Sequence, residues 1–233
     1  MRKIARRAMT AGAVAATAIA LTAVPASAAT VTNGGNITGT NVGSIIGFGD
    51  INGSTLECTS STASGSLPSG SVPDTDIATL NSVAFSSPGQ VNNWCVANGS
   101  IPTQVTAVDP TPSTPGLGWT FDKTPGGTSG GVSPGQLKGV KVTLHAPSVP
   151  CDATVGGAGG GGGTIDGAYT NPSTPTGNNG SIGLPFGSPN TLEVLSVSSA
   201  TDCAGLISLG ETVSLAGSYK VVNSSGISPT INN

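Results

Sequence analysis

The sequence predicts an all-β protein, an antiparallel β-sandwich with a barrel-like closed sheet as the alternative. Short runs in which apolar and polar residues alternate recur along the chain, and no helical apolar period extends over a useful length. Glycine and proline are abundant, with 36 and 17 among 233 residues, and they separate the runs by turns and long Gly/Pro/Ser-rich loops. Four cysteines in a chain with an export signal add the expectation of stabilising disulfides.

The first 28 residues are typical of a secretory signal peptide. Met1–Arg7 carries four positive charges, Ala11–Ala23 is apolar, and Ala26–Ala28 is a small-residue motif that predicts cleavage after Ala28. The Sec route is favoured, and the arginine pair in the charged region keeps the twin-arginine route open. We therefore expect residues 29–233 to form a single secreted, extracellular β domain without a membrane span, since the apolar stretch is too short to cross a bilayer.

Seven alternating runs predict strands with one buried and one solvated face. In the run that ends at His145, three aliphatic residues share one face, whereas Lys141, Thr143 and His145 share the other. The predicted strands are Ser44–Ile51, Ile77–Phe85, Ile101–Val108, Leu117–Phe121, Gly139–His145, Leu192–Val197 and Glu211–Val222.

Between the strands lie residues that favour turns. Asn-Gly and Asp-Gly pairs tolerate the positive φ of tight hairpin turns, which predicts turns at Asn33-Gly34, Asn52-Gly53, Asn98-Gly99 and Asp166-Gly167. Three segments are predicted as loops: the proline-rich Asp109–Pro115, a hairpin loop at Gly156–Gly163 and the polar Asn171–Gly180.

The cysteines are Cys58, Cys95, Cys151 and Cys203, and their spacing shows no zinc-binding pattern. In an exported protein they are expected to form two structural disulfides, for which three pairings exist. Sequential pairing is favoured, because each bond would then close one half of the chain.

Charge excludes one class of partner. Beyond the signal the chain has no arginine and only four lysines against eleven acidic residues, so no basic surface exists for nucleic acid.

No catalytic or metal-binding constellation is evident. Gly127–Gly131 has the GxSxG spacing around Ser129, but no helix pattern follows it, so a glycine-rich loop is the better interpretation. His145, the only histidine, is expected as a solvated strand residue, and Asp74-Thr75-Asp76 as a turn rather than a calcium site. We therefore expect no enzyme, no cofactor and no bound metal.

Trp94 is the one candidate ligand contact. Sugar-binding surfaces use exposed aromatic faces, whereas Trp119 and Tyr219 lie on the apolar faces of their predicted strands. Trp94 instead follows Asn92-Asn93 and precedes Cys95, where packing against a disulfide is the alternative role.

Several short motifs lie along the chain: Leu56-Glu57-Cys58, Ser60–Gly65, Pro68-Ser69-Gly70, Lys138–Cys151, Cys203–Ile207, Gly210-Glu211 and Gly217–Val221. They resemble those of small secreted actinobacterial, Streptomyces-like proteins of uncharacterised function. The resemblance implies export, paired cysteines and a β fold, and it transfers no catalytic or binding residue.

The sequence thus favours a non-enzymatic secreted or cell-envelope protein that acts through its surface, as a structural or interaction protein. A carbohydrate- or cell-wall-binding module, with cell-wall polysaccharide as partner, is the first alternative. The second is an inhibitor or partner of another extracellular protein, presenting Gly156–Gly163 or Asp109–Pro115.

Overall fold

The computed structural model describes residues 28–109, 118–198 and 202–233. Within them the chain forms eighteen strands: β1 Ala28–Thr32, β2 Gly35–Asn41, β3 Ile45–Gly49, β4 Thr55–Cys58, β5 Ser60–Leu67, β6 Gly70–Pro73, β7 Ala78–Ser86, β8 Cys95–Ala97, β9 Ile101–Ala107, β10 Thr120–Lys123, β11 Val132–Val140, β12 Val142–Ala146, β13 Cys151–Gly157, β14 Gly163–Thr170, β15 Ser181–Leu184, β16 Leu192–Val197, β17 Val213–Asn223 and β18 Thr230–Asn232.

Two rings of antiparallel strands stack end to end. The first ring follows the order β15-β14-β11-β10-β7-β5-β2-β17 and closes because β15 and β2 pair with opposite edges of β17. The second follows β17-β3-β4-β8-β9-β12-β13-β16, and a bridge between Glu193 and Thr212 completes it. The all-β antiparallel prediction is confirmed, and the closure corresponds to its barrel-like alternative.

The chain runs up and down between the two rings. Strands that follow one another with a short break, such as β2 and β3 or β11 and β12, continue from one ring into the other, and β17 spans both. Each of the seven predicted strands overlaps a strand of the structure. In the described part of the chain, no helix has the length and apolar character needed to cross a membrane.

A three-stranded sheet, β18-β1-β6, covers the end of the first ring. Its apolar residues Ala29, Val31 and Ile231 are buried in one cluster with Phe121 and Tyr169 of the ring. We call this the cap end. The first and last strands of the described chain, β1 and β18, thus pack against the ring interior at this end.

Cys203–Gly210, which we call the strap, lies at the opposite end. Its Ile207 packs against the ring interior, and Cys203 and Ala204 have left-handed backbone with φ of 52° and 57°. The strap is held at one end by a disulfide to Cys151 and at the other by a hydrogen bond from Ser208 N to Glu211 Oε2 of 2.8 Å. We call this the strap end.

Residues alternate between the interior and the outer face. In β11, Ser133, Gly135 and Leu137 are buried, whereas Pro134 and Gln136 are exposed. The interior is apolar, as Trp119 at 2% exposure illustrates, and the outer face is rich in serine and threonine. This division fixes which residues an external ligand can meet.

The two disulfides have the sequential pairing. Cys58 at the end of β4 is bonded to Cys95 at the start of β8, a neighbouring strand. Cys151 at the start of β13 is bonded to Cys203 of the strap. Disulfides are typical of an oxidising, extracellular environment.

The turn predictions are partly confirmed. Asn33 and Asn98 have φ of 55° and 47°, and Gly53 has 65°, in the turns where positive φ is predicted. Asp166-Gly167 is wrong as a turn, because both residues lie within β14 and pair with β11.

The hairpin loop predicted at Gly156–Gly163 is also wrong. β13 pairs with β12 and β16, whereas β14 pairs with β11 and β15, so the glycine run carries the chain from one ring to the other. It makes a compact bulge in which Gly157 N donates to Gly161 O at 2.9 Å. Of the proline-rich loop at Asp109–Pro115, all but Asp109 lies outside the described residues.

Candidate binding surface

Polar side chains form a regular array on the outer face of β9, β12, β13 and β16. In one row the register places Thr106 opposite Thr143, Thr143 opposite Thr154, and Thr154 opposite Ser196. The next row, two residues along each strand, contains Gln104, His145, Asp152 and Ser198. We call these eight residues the polar grid; they line a shallow concavity of about 350 Å³.

The grid is regular because β-strands impose its spacing. Neighbouring strands lie about 4.8 Å apart, and side chains on one face repeat about every 7 Å along a strand. Asp152 N donates to Ser198 Oγ at 2.8 Å, and Ser198 N donates to Asp152 O at 2.8 Å, so the end of β16 is held in register with β13.

His145 and Asp152 form the charged centre of the grid. The distance between His145 Nδ1 and Asp152 Oδ1 is 2.6 Å, and the two side chains are 48% and 65% exposed. The hairpin of β12 and β13 places these residues directly opposite each other. The expectation of a lone solvated histidine is thus incomplete, since His145 is solvent-accessible but has a carboxylate partner.

Trp94 adjoins this pair. Its indole ring contacts the His145 imidazole edge-on, with 5.9 Å between ring centroids and an interplanar angle of 77°. A short turn at Val91–Asn93, with φ of 54° at Asn92 and 55° at Asn93, leads into Trp94, and the buried Cys95 follows. The ring is half-buried, so it is held by the fold and still accessible to a ligand.

The sequence singles out Trp94 but does not connect it with His145 and Asp152. The His145–Asp152 pair does have a signal in the sequence, because a short turn between Ala146 and Cys151 places the residues on either side of it opposite each other. The contact with Trp94 joins residues 51 positions apart, and the pairing of β8 with β9 and of β9 with β12 brings them together.

The grid offers hydroxyl groups, an amide, an imidazole and one carboxylate. Hydroxyls donate and accept hydrogen bonds, and so does an amide. Within residues 28–109, 118–198 and 202–233, no group of three metal-ligating side chains is assembled. The hydroxyl and amide groups of the grid can each donate a hydrogen bond to a ligand hydroxyl or accept one from it.

The GxSxG sequence around Ser129 forms part of a turn. Ser129 lies in the turn before β11 and forms a bridge with Val132 at the cap end. Because His145 lies near the end of β12 at the strap end, the structure does not bring Ser129 and His145 together.

The Asp74–Asp76 segment forms the predicted turn. Asp74 is buried with Lys123, with 3.2 Å between Oδ1 and Nζ. Asp76 N donates to Asp122 Oδ1 at 2.7 Å. The Asp122 carboxylate accepts a hydrogen bond from Lys138 Nζ at 2.9 Å and thereby raises the pKa of Lys138. These acidic groups stabilise the loops of the cap end.

Comparison with protein-family models, with curated proteins and with solved structures gave no match.

Proposed function

We propose that this chain is a secreted, non-enzymatic protein that binds a cell-wall carbohydrate through the polar grid and Trp94. The observation that carries the proposal is the contact of Trp94 with the His145–Asp152 pair, at an array of hydroxyl and amide side chains. An aromatic surface can pack against the C–H face of a sugar ring, and hydrogen-bonding side chains can pair with its hydroxyls.

Secretion is supported by the signal-like residues 1–28 and by two disulfides. The closed rings also suit an extracellular binding role. Nearly all strand edges are paired, so the outer face is a rigid surface on which polar groups keep fixed positions. Fixed groups lose little conformational freedom on binding, which raises affinity for a given set of contacts.

Co-sedimentation of the purified mature protein with insoluble peptidoglycan, chitin and cellulose tests the proposal. We expect pelleting with one polymer at moderate salt and release by soluble fragments of that polymer. Trp94→Ala should weaken binding by about tenfold or more, the effect of losing one aromatic stacking contact. No pelleting with any of the three polymers would overturn the proposal.

A matched pair of threonine variants localises the site. Thr106 of β9 lies in the grid. Thr62 of β5 lies outside the grid but also faces outward, and Ala84 of β7 is paired between the two threonines. We expect Thr106→Ala to weaken polymer binding and Thr62→Ala to leave it unchanged. If the two substitutions changed polymer binding equally, the polar grid would not be the binding surface.

A further inference from the structure

The interior of the rings contains three adjoining apolar cavities. Their volumes are about 100 Å³ near the cap end, about 60 Å³ in the middle and about 80 Å³ near the strap. Protein interiors are close-packed and contain few voids larger than a water molecule. Eight-stranded rings of this kind have an interior that side chains can fill or that one small ligand can occupy.

The polar side chains that line the cap-end cavity already have hydrogen-bond partners. Tyr169 donates to Pro229 O at 2.7 Å, and the Tyr219 hydroxyl is 2.8 Å from Ser61 Oγ. Trp119 Nε1 donates to Val108 O at 3.3 Å, and Ser64 Oγ is 2.8 Å from Ser82 Oγ. A buried water needs two to four polar partners, and apolar cavities of this size remain dry and accept apolar guests. The chemistry of the lining therefore selects a hydrocarbon.

Neighbouring cavities share lining side chains. Phe85 and Leu215 line both the cap-end and the middle cavity. Leu144 and Val155 line both the middle cavity and the one at the strap. Three adjoining spaces in succession match the outline of an unbranched chain better than that of a fused-ring molecule.

The strap end has the features of an entrance. Ile207 of the strap lines the last cavity, and two large apolar side chains beside it, Ile51 and Leu209, are 66% and 62% exposed. Charge at this end is negative, from Asp50 and Glu211, whereas the chain's four lysines beyond the signal lie elsewhere, at Lys123, Lys138, Lys141 and Lys220. A negatively charged head group would be repelled here.

We propose that the ring interior binds an unbranched, uncharged aliphatic chain that enters beneath the strap and extends toward the cap end. This site is separate from the polar grid, because it uses the inward face of the strands. Loss of polymer binding through Trp94 would therefore leave it intact, and the two proposals can fail independently.

Inward-facing glycines provide the variants for a test. A Cβ added at Gly39 would lie 3.6 Å from the Tyr219 side chain, and one at Gly47 would lie 3.5 Å from Leu56 Cβ, which are ordinary contacts. Both glycines line the cavities, so alanine there removes ligand space without a clash. Gly183 is the matched control, since a Cβ on this strand residue would meet nothing within 4 Å.

The experiment is a fluorescence titration of the mature protein with 10-bromo-1-decanol. Trp119 lines the cap-end cavity, and a Trp94→Phe background makes it the only emitting tryptophan. We expect saturable quenching by the bromine atom. Gly39→Ala and Gly47→Ala should each weaken binding about fourfold, the effect of one lost CH₂ burial, whereas Gly183→Ala should have no effect.

The charge argument is tested in the same assay with 1-decanol and sodium decanoate as competitors. We expect 1-decanol to displace the brominated alcohol and decanoate to be at least about tenfold weaker, because its carboxylate meets like charge at the strap. Absence of saturable quenching, equal binding by all three glycine variants, or equal competition by decanoate would each overturn the proposal.

Discussion

Glu211 is a buried carboxylate on which the strap end depends, and its replacement gives a quantitative test of the fold. The residue is fully buried, and its two oxygens accept hydrogen bonds from Ile51 N, Asn52 N and Ser208 N at 3.0, 3.1 and 2.8 Å. The Asn52 side-chain amide donates a fourth, at 3.3 Å. The carboxylate thus connects the β3–β4 turn to the strap.

Glu211→Gln keeps the shape of the side chain and changes only its hydrogen bonding. One carboxylate oxygen becomes an NH₂ group, so one pair of backbone or side-chain donors faces another donor instead of an acceptor. Hydrogen bonds to a charged group contribute about 1.5–3 kcal/mol each, and a buried donor left unpaired costs about 1–3 kcal/mol. We expect the free energy of unfolding to fall by about 3–5 kcal/mol.

Urea denaturation at neutral pH with both disulfides intact measures this loss. Glu193→Gln is the control, because it makes the same change of charge on a half-buried side chain of β16 that has no hydrogen-bond partner among the described residues. We expect its effect to stay within about 0.5 kcal/mol. A Glu211→Gln protein as stable as the Glu193→Gln protein would refute the role assigned to the carboxylate.

Three further perturbations have defined outcomes. Replacing Cys58 and Cys95 by alanine opens a loop of 37 residues and should lower the free energy of unfolding by about 4 kcal/mol in urea titrations; a change below about 1 kcal/mol would contradict it. Gly65→Ala should lower it by about 2 kcal/mol or more, because the added Cβ would lie 2.1 Å from Thr79 O, and an unaltered urea midpoint would rule out this close approach. Burial raises the pKa of Tyr219 to about 12, above its ordinary value near 10, so its contribution is full below pH 10 and lost as the pH rises through 12. Tyr219→Phe should accordingly flatten the decline of stability between pH 10 and 12, and an unchanged slope would be inconsistent with that shift.

Alternation in the sequence was sufficient to find the strands with aliphatic inner faces. Leu192–Val197 has the same bounds in sequence and structure, and Glu211–Val222 differs from β17 by one or two residues at each end. The strands without this signal include β5, in which the small residues Ser61 and Gly65 are buried. At Gly65 the backbone of β7 approaches so closely that a Cβ would lie 2.1 Å from Thr79 O, so glycine replaces an apolar side chain and the alternation is interrupted.

Ring closure itself had no local signal. The pairing of β17 with β2 joins residues nearly 180 positions apart, as in Tyr219 opposite Asn41. The buried role of Glu211 was equally inaccessible, because its partners lie on a distant turn and a single acidic residue beside a glycine resembles a surface turn. The disulfide pairing was predictable, since each bond joins cysteines that are neighbours in the sequence, although both rings contain strands from the two halves of the chain.

The polar grid depends on one irregularity that alternation alone would have misassigned. Val194 is buried and Ser196 is exposed. In a regular strand these two residues would lie on the same face, because side chains repeat every second residue. The register of β13 and β16 shifts at this point, pairing Thr154 with Ser196 but Val155 with Val194, so β16 contains one extra residue. This bulge turns Ser196 and Ser198 outward beside Thr154 and Asp152. Without it, the fourth strand would present the opposite set of side chains, and the proposed sugar-binding surface would lose a quarter of its polar groups.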